Sequence, residues 1–468
     1  MHRIIAARPS RGSVLIVTLV TAVILGVALA SYLAMVAHQH YSTVRSQAWN
    51  SALPIAEAGV EEALTQLQYT DVAHLGRDQW VDLNNGWFYK SHYLGNTADH
   101  YEVLIQQVEP PVIVSTGMVP APLRPSILYG ITIGQGQGAP APDNGSFVRR
   151  RIRVNTVRRP LFPGAMVAKG HIELAGNNVT TDGFDSSDPN YSTLGKYDRT
   201  KNKPSGDVAT NGSDTASGKN FIPAIDVGEA DIKGHVSTGP NGTAQVGAGG
   251  SVGDLAWVDG GSPGIQPGWG DGHDNRFDFS IVPVPFTTGY GSPAGGTVGT
   301  NNYTCILDGG LNRNYRVNNF SGKVLVTGDV NLLVTDTFNF GSGDFVYIAP
   351  GATLKVWVAA PVAVLGGNGV INSDGYAIGF QYYGLAQNTS FKFSANAAFT
   401  GTIYAPRADF TLGGGGGNDY DFVGACVVDT VKMNGHYHFH FDEALRGKLW
   451  KGYVPVAWNE VDPNGAVQ

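Results

Sequence analysis

Residues 322–372 read GKVLVTGDVNLLVTDTFNFGSGDFVYIAPGATLKVWVAAPVAVLGGNGVIN. Short apolar runs, Val324-Leu325-Val326, then Val346-Tyr347-Ile348, then Leu354-Lys355-Val356, alternate with corners of glycine, asparagine and aspartate. β-branched runs bounded by such residues read as strands, and their close, even spacing suits either a sandwich or a stack of β-coils. The runs repeat loosely and carry no long-range pairing signal. That favours the coil stack, in which each coil buries its narrow apolar side against the next. The same texture extends outward over residues 161–447, as in AMVAKGHIELAGNNVTTDGF and GEADIKGHVSTGPNGTAQVGAGGSVGD. The fold class expected for this body is a right-handed parallel β-helix.

Composition agrees. The chain has 468 residues, too many for one ordinary core, with 42% hydrophobic and only 15% charged residues. Its 63 glycines follow no triplet period, which suits a turn-rich β protein. A formal charge of −7 argues against nucleic acid as a partner, since that role needs a basic surface. Two cysteines, Cys305 and Cys426, are a candidate disulfide in an oxidising compartment; the other reading is two small buried apolar residues.

The amino-terminal region reads differently. Residues 1–12 carry Arg3, Arg8 and Arg11 and no acid, and residues 13–37, SVLIVTLVTAVILGVALASYLAMVA, carry no charge. As a helix those 25 residues reach about 37 Å, enough for a hydrocarbon core of ~30 Å. The preceding arginines hold the start in the cytoplasm and send the rest outward. Helix-forming sequence continues to about Leu67, with Ala56, Gly59, Val60, Ala63, Leu64 and Leu67 on one face. Pro54 bends this helix rather than ending it.

A helix apolar in its first half and amphipathic in its second is the layout of a type IV pilin. Arg11-Gly12-Ser13-Val14-Leu15-Ile16-Val17-Thr18 resembles the prepilin motif, and Ala56-Glu57-Ala58-Gly59-Val60-Glu61-Glu62-Ala63-Leu64 resembles the AEAGxEEAL stretch of PilX-type minor pilins. The resemblance covers about sixty residues. It implies cleavage between Gly12 and Ser13 by a prepilin peptidase, methylation of Ser13, and packing against other pilin-like subunits. The glutamate that major pilins carry at the fifth mature position is replaced here by Val17. That departure suits a minor pilin or a pseudopilin. The stretch 399–445 resembles a carboxy-terminal domain of bacterial surface and pilus-assembly-like proteins through Gly401-Thr402-Ile403-Tyr404-Ala405-Pro406, Phe422-Val423-Gly424-Ala425 and His440-Phe441-Asp442-Glu443-Ala444-Leu445. The expected domains are a leader (1–12), the helix (13–68), a small β-rich or α+β domain (69–160), the β-solenoid (161–447) and a tail (448–468).

Four constellations could carry chemistry. In a strand, HYHFHFD puts His436, His438 and His440 on one face with Asp442 next, a candidate site for zinc or copper. Same-face neighbours lie ~6.5–7 Å apart, which suits two ligands better than three. Asp271, His273, Asp274 and Asp278 in GWGDGHDNRFDF form a candidate calcium loop without EF-hand spacing. Asp329, Asp336 and Asp344 are the acids to test for a catalytic pair, and Trp357, Tyr376, Tyr382 and Tyr383 the aromatics to test for sugar stacking. Arg149, Arg150, Arg151 and Arg153 read as a solvated strand face. No HExxH, P-loop or paired CxxC occurs. The expectation is a non-enzymatic, cofactor-free structural subunit anchored in the inner membrane, its body periplasmic or extracellular. The alternative is a tethered carbohydrate-active enzyme or carbohydrate-binding module facing surface polysaccharide.

Overall fold

The computed structural model describes residues 13–69, 75–76, 79–121, 147–176, 178–217, 220–270, 272–413, 418–434 and 436–465. Gly12, Asp271, the 134–145 Gly/Pro stretch and glycines 414–417 lie outside the described residues, as does the side chain of Ser13. The chain is mainly β with one long amino-terminal helix, and it divides into two compact units, residues 1–159 with 451–468, and residues 160–450.

The first unit is built on helix α1, Ser13–Tyr69, 57 residues long with Pro54 inside it. Its first half is long and apolar enough to cross a bilayer, and the side chains from Val14 to Val36 are almost all exposed. Its second half buries Ala48, Ala52, Ile55, Ala56, Val60, Ala63, Leu64 and Leu67, the three- and four-residue steps of one helical stripe. That stripe packs on strands β3 (His100–Gln106) and β4 (Val112–Pro120). Small residues set the closeness: a Cβ on Gly117 of β4 would stand 2.0 Å from the Ala52 carbonyl oxygen. At the stripe's edge Glu62 accepts from Tyr101 Oη at 2.5 Å and pairs with Lys90 at 2.8 Å.

With β1 (Val81–Asp82), β2 (Trp87–Tyr93) and β5 (Phe147–Pro160), these strands form a six-stranded sheet in the order β1-β2-β3-β4-β5, completed by Trp450–Val461. The segment 448–468, expected as a tail, thus supplies the sheet's last strand. Arg150 meets Glu460 at 2.6 Å and Arg159 Nε donates to the Lys451 carbonyl at 3.3 Å, a register that runs antiparallel. Arg151 donates to Thr116 Oγ1 at 3.0 Å and to the Gly465 carbonyl at 2.7 Å, so the arginine-rich strand is held within its own unit. The entire second unit is therefore an insertion between two neighbouring strands of the first.

The second unit stacks parallel strands in columns. One column is Cys305–Asp308, Lys323–Thr327, Phe345–Ile348 and Val370–Asn372. The expected strands Val324–Val326 and Val346–Ile348 lie directly side by side there. A second column runs Asn314–Phe320, Asp329–Phe340, Thr353–Val358, Phe380–Gly384, Phe399–Leu412 and Tyr420–Met433. It then continues into the unit's opening strand, β6 (Met166–Ala168), which pairs with Cys426–Val428. β7 (Ile172–Leu174) pairs with Val431–Met433, and β8 (Thr180–Phe184) pairs with Tyr437–Asp442. From β7 and β8 the columns pass on to Ile225–Gly228 and Asp231–Lys233.

The stack is thus permuted along the chain. Its middle rung is split, one strand coming from the end of the unit (Tyr437–Asp442) and two from its beginning (β6 and β7). The unit's two ends meet there, Leu161 N donating to the Leu449 carbonyl at 2.9 Å. Aligned aromatics stitch the core across rungs: Phe399, Phe422 and Phe439 stack at 4.4 and 4.3 Å, close to the ~4.8 Å strand spacing.

Candidate functional site at the histidine strand

Within Tyr437–Asp442 the alternation predicted by HYHFHFD is present: Tyr437, Phe439 and Phe441 are core residues. The opposite face carries His438 and His440. His440 is nonetheless buried, at 4% exposure, because the Tyr197 ring stacks on its imidazole with centroids 3.6 Å apart. Register places Asp182 of β8 directly beside it, and its Nδ1 meets Asp182 Oδ1 at 2.5 Å. Its Nε2 meets Oδ1 of Asp421, from the strand on the other side, at 3.2 Å. The second oxygen of Asp182 accepts from Tyr197 Oη at 2.7 Å and Asn202 Nδ2 at 2.9 Å.

Electrostatics divides the two histidines. Burial alone would depress His440, but hydrogen bonds from both carboxylates outweigh it and raise its pKa above 6.5. His438 is lowered, by burial first and then by the neighbouring His440 charge. The two rings lie 6.5 Å apart, and their shifts run in opposite directions. Asp421 is lowered by its hydrogen bond to His440, and Tyr197 is raised by burial and by Asp182.

The histidines of this strand do not come together. His436 sits 3.6 Å from Asp419, His438 Nδ1 is 2.7 Å from Thr180 Oγ1, and both nitrogens of His440 face carboxylates. Asp442 accepts the backbone N–H groups of Ser186 and Ala444 at 3.0 and 3.1 Å, and burial raises its pKa. Strand spacing spreads the imidazoles along 436–440, and each finds a separate partner. Among the described residues, no group of three His, Cys, Asp or Glu converges as a metal site. The candidate calcium loop is described only in part, because Asp271 lies outside the described residues. Asp274 is exposed and Asp278 accepts from Ser280, while His273 and Asn275 tie this loop down through Thr238 and Ser237.

Nor do the other candidates converge. Both thiols are free. Cys305 lies in the first layer of the stack and Cys426 five strand steps on, about 24 Å at ~4.8 Å per step, far beyond disulfide reach. Asp329 accepts from Thr353 and Asp344 from the Gly341 N–H. Tyr382 is in the core, stacked on Phe391, whereas Trp357 and Tyr383 stack on each other at 5.1 Å beside Phe286. Tyr376 Oη donates to the Leu194 carbonyl at 3.2 Å.

Residues 312–448 match a family described as a domain of unknown function, DUF7305. No curated protein and no solved structure matches the chain. The matched stretch holds His440 and Asp421 but not Asp182 or Tyr197, which come from the other side of the split rung. Asp182, Tyr197 and Asn202 are the residues that sequence reasoning missed. They lie some 240 to 260 positions before His440, and only the pairing of β8 with the histidine strand brings them there.

Proposed function

We propose that the chain is a membrane-anchored, exported minor pilin-like or pseudopilin-like subunit of a type IV pilus or type II secretion-like system. Its body is a right-handed parallel β-helix displayed for assembly or adhesion. The observation that carries this reading is α1: one continuous helix with an exposed apolar first half and a second half seated on its own sheet. The seated half fixes the direction of the helix, and the exposed half is left for lipid or for other helices. Passing from one to the other costs little, because both surroundings are apolar. The prepilin-like leader and the AEAGxEEAL resemblance supply the class of partner: a prepilin peptidase, the inner membrane and other pilin-like subunits. Val17 in place of the pilin glutamate points to an accessory position rather than the bulk of a fibre. The subunit acts without enzymatic chemistry or cofactor.

Cross-linking tests the assembly. Leu25→Cys places a thiol on the exposed part of α1, and a benzophenone maleimide attached to it is photoactivated in the native envelope, so that insertion into a neighbouring C–H bond needs no thiol on the partner. The reading expects cross-linked species containing other amino-terminally processed helical subunits. A helix that serves only as a tether gives none.

A tethered carbohydrate-binding module is the second reading, favoured by one groove of about 460 Å³ in the body. Phe221 and Ile222 flank the floor residues Glu173, Asp226 and Lys432, an apolar wall beside polar groups that suits a sugar.

A further inference from the structure

The split rung is where the two ends of the body's chain are brought together. Every other rung of its second column is joined to the next by continuous chain, whereas this one is completed by strands from opposite ends of the unit. Its cohesion rests on non-covalent pairing alone. His440 contacts Asp182 of β8 on one side and Asp421 of the preceding strand on the other, beside further polar contacts across the junction such as His438 with Thr180, Lys203 with Glu443 and Lys432 with Glu173. The ring is 4% exposed, roofed by Tyr197, and cannot exchange these partners for water without opening the junction.

We propose that His440, held between Asp182 and Asp421 across the split rung, is the pin of a pH-sensitive clasp that fastens the last strand of the body to its opening segment. As imidazolium, His440 donates from both nitrogens, one to each carboxylate. As neutral imidazole it has a single N–H, so one of the two carboxylates faces a lone pair across a short gap.

The groups facing His440 are Asp182, Asp421, Tyr197 and His438, with Arg199 and Asp419 acting on His438 at longer range. Their signs separate by pH. His440 is raised, so its contribution is complete below its unfolded value of 6.5 and is lost as pH rises through its folded value. His438 is lowered, so it starts to oppose the clasp only as pH falls below 6.5. Asp421 is lowered, and its contribution fails at the acidic end, as pH falls through its folded value below 3.8. Tyr197 is raised, away from neutrality. The loss of cohesion above pH 6.5 therefore belongs to His440 alone among these groups, and the clasp is tightest near pH 6.5.

Hydrogen exchange of the full chain in detergent, corrected for the intrinsic pH dependence, tests this. The amides of Thr180–Phe184 and Tyr437–Asp442 are compared at pH 6.5 and 8.5 with those of Thr353–Val358 and Phe380–Gly384. We expect protection at the split rung to fall at pH 8.5 relative to pH 6.5, with no change in the reference strands. His440→Gln, which keeps a donor but no titratable charge, should abolish the difference. Asp421→Asn alters only a half-exposed carboxylate and should shift the loss to lower pH, so it serves even if His440→Gln fails to fold. Equal protection of wild type at both pH values would overturn the clasp. So would a pH response that survives His440→Gln, or one that Asp421→Asn leaves in place.

Discussion

Gly117→Ala tests how α1 is held. Its Cβ would stand 2.0 Å from the Ala52 carbonyl oxygen and 2.6 Å from the Ala56 amide nitrogen, and neither is a side chain that can turn aside. Ordinary van der Waals contact starts near 3.4 Å, so helix and strand must part by up to 3.4 − 2.0 = 1.4 Å at this crossing. Parting them loosens Ala52, Ile55, Ala56 and Val60 from the sheet. Overpacking of this kind costs ~1–3 kcal/mol, and removing a strand glycine returns ~0.5–1 kcal/mol, leaving a net loss of about 1–2 kcal/mol. Two other glycines on the same helix serve as controls. At Gly59 the obstacles are Ser115 Oγ at 2.3 Å and Tyr101 Cδ2 at 2.8 Å, both side-chain atoms, so alanine there costs less, about 1 kcal/mol or under. Nothing lies within 4 Å at Gly26, and alanine there gains up to ~1 kcal/mol of helix propensity. A two-unit chain has no single well-defined melting point, so the assay is local: exchange protection of β3 and β4 amides in detergent. The expected order of protection is Gly26→Ala equal to wild type, then Gly59→Ala, then Gly117→Ala. A Gly117→Ala protein as protected as wild type would refute the close helix–sheet contact.

Two further outcomes follow from the body. Phe422→Ala removes the middle ring of the Phe399–Phe422–Phe439 stack and should destabilise the body by about 4 kcal/mol, read as a fall in the urea midpoint of pulse proteolysis, with Phe422→Leu recovering more than half. Burial pushes the Cys426 thiol up to about 12 and the half-buried Cys305 thiol up to about 11. A maleimide at neutral pH should therefore modify Cys305 slowly and Cys426 only after denaturation, and non-reducing mass spectrometry that found the two joined would contradict their separation in the stack.

The parts of this molecule that depend on local periodicity were legible in the sequence. The uncharged run 13–37 and the stripe from Ala56 to Leu67 predicted α1, because helical burial repeats every three to four residues. Likewise the period-two alternation of HYHFHFD put the histidines on one face, opposite Tyr437, Phe439 and Phe441. Long-range pairing was not legible. Residues 448–468 read as a tail, yet Trp450–Val461 form an edge strand of the first unit's sheet, where a proline such as Pro455 is tolerated. The three histidines looked like ligands because same-face spacing says nothing about what the next strand offers. Asp182 and Asp421 occupy the ring nitrogens of His440, and only the split rung puts Asp182 there.

The central claim is that α1 is a processed, pilin-like helix, and the amino terminus of the mature protein tests it most directly. Mass spectrometry of the chain from native envelopes should find it beginning at Ser13, with a methylated amine. An intact Met1 would reduce the helix to a simple anchor, and a start near Ser31 would make the body a secreted one; either contradicts the account.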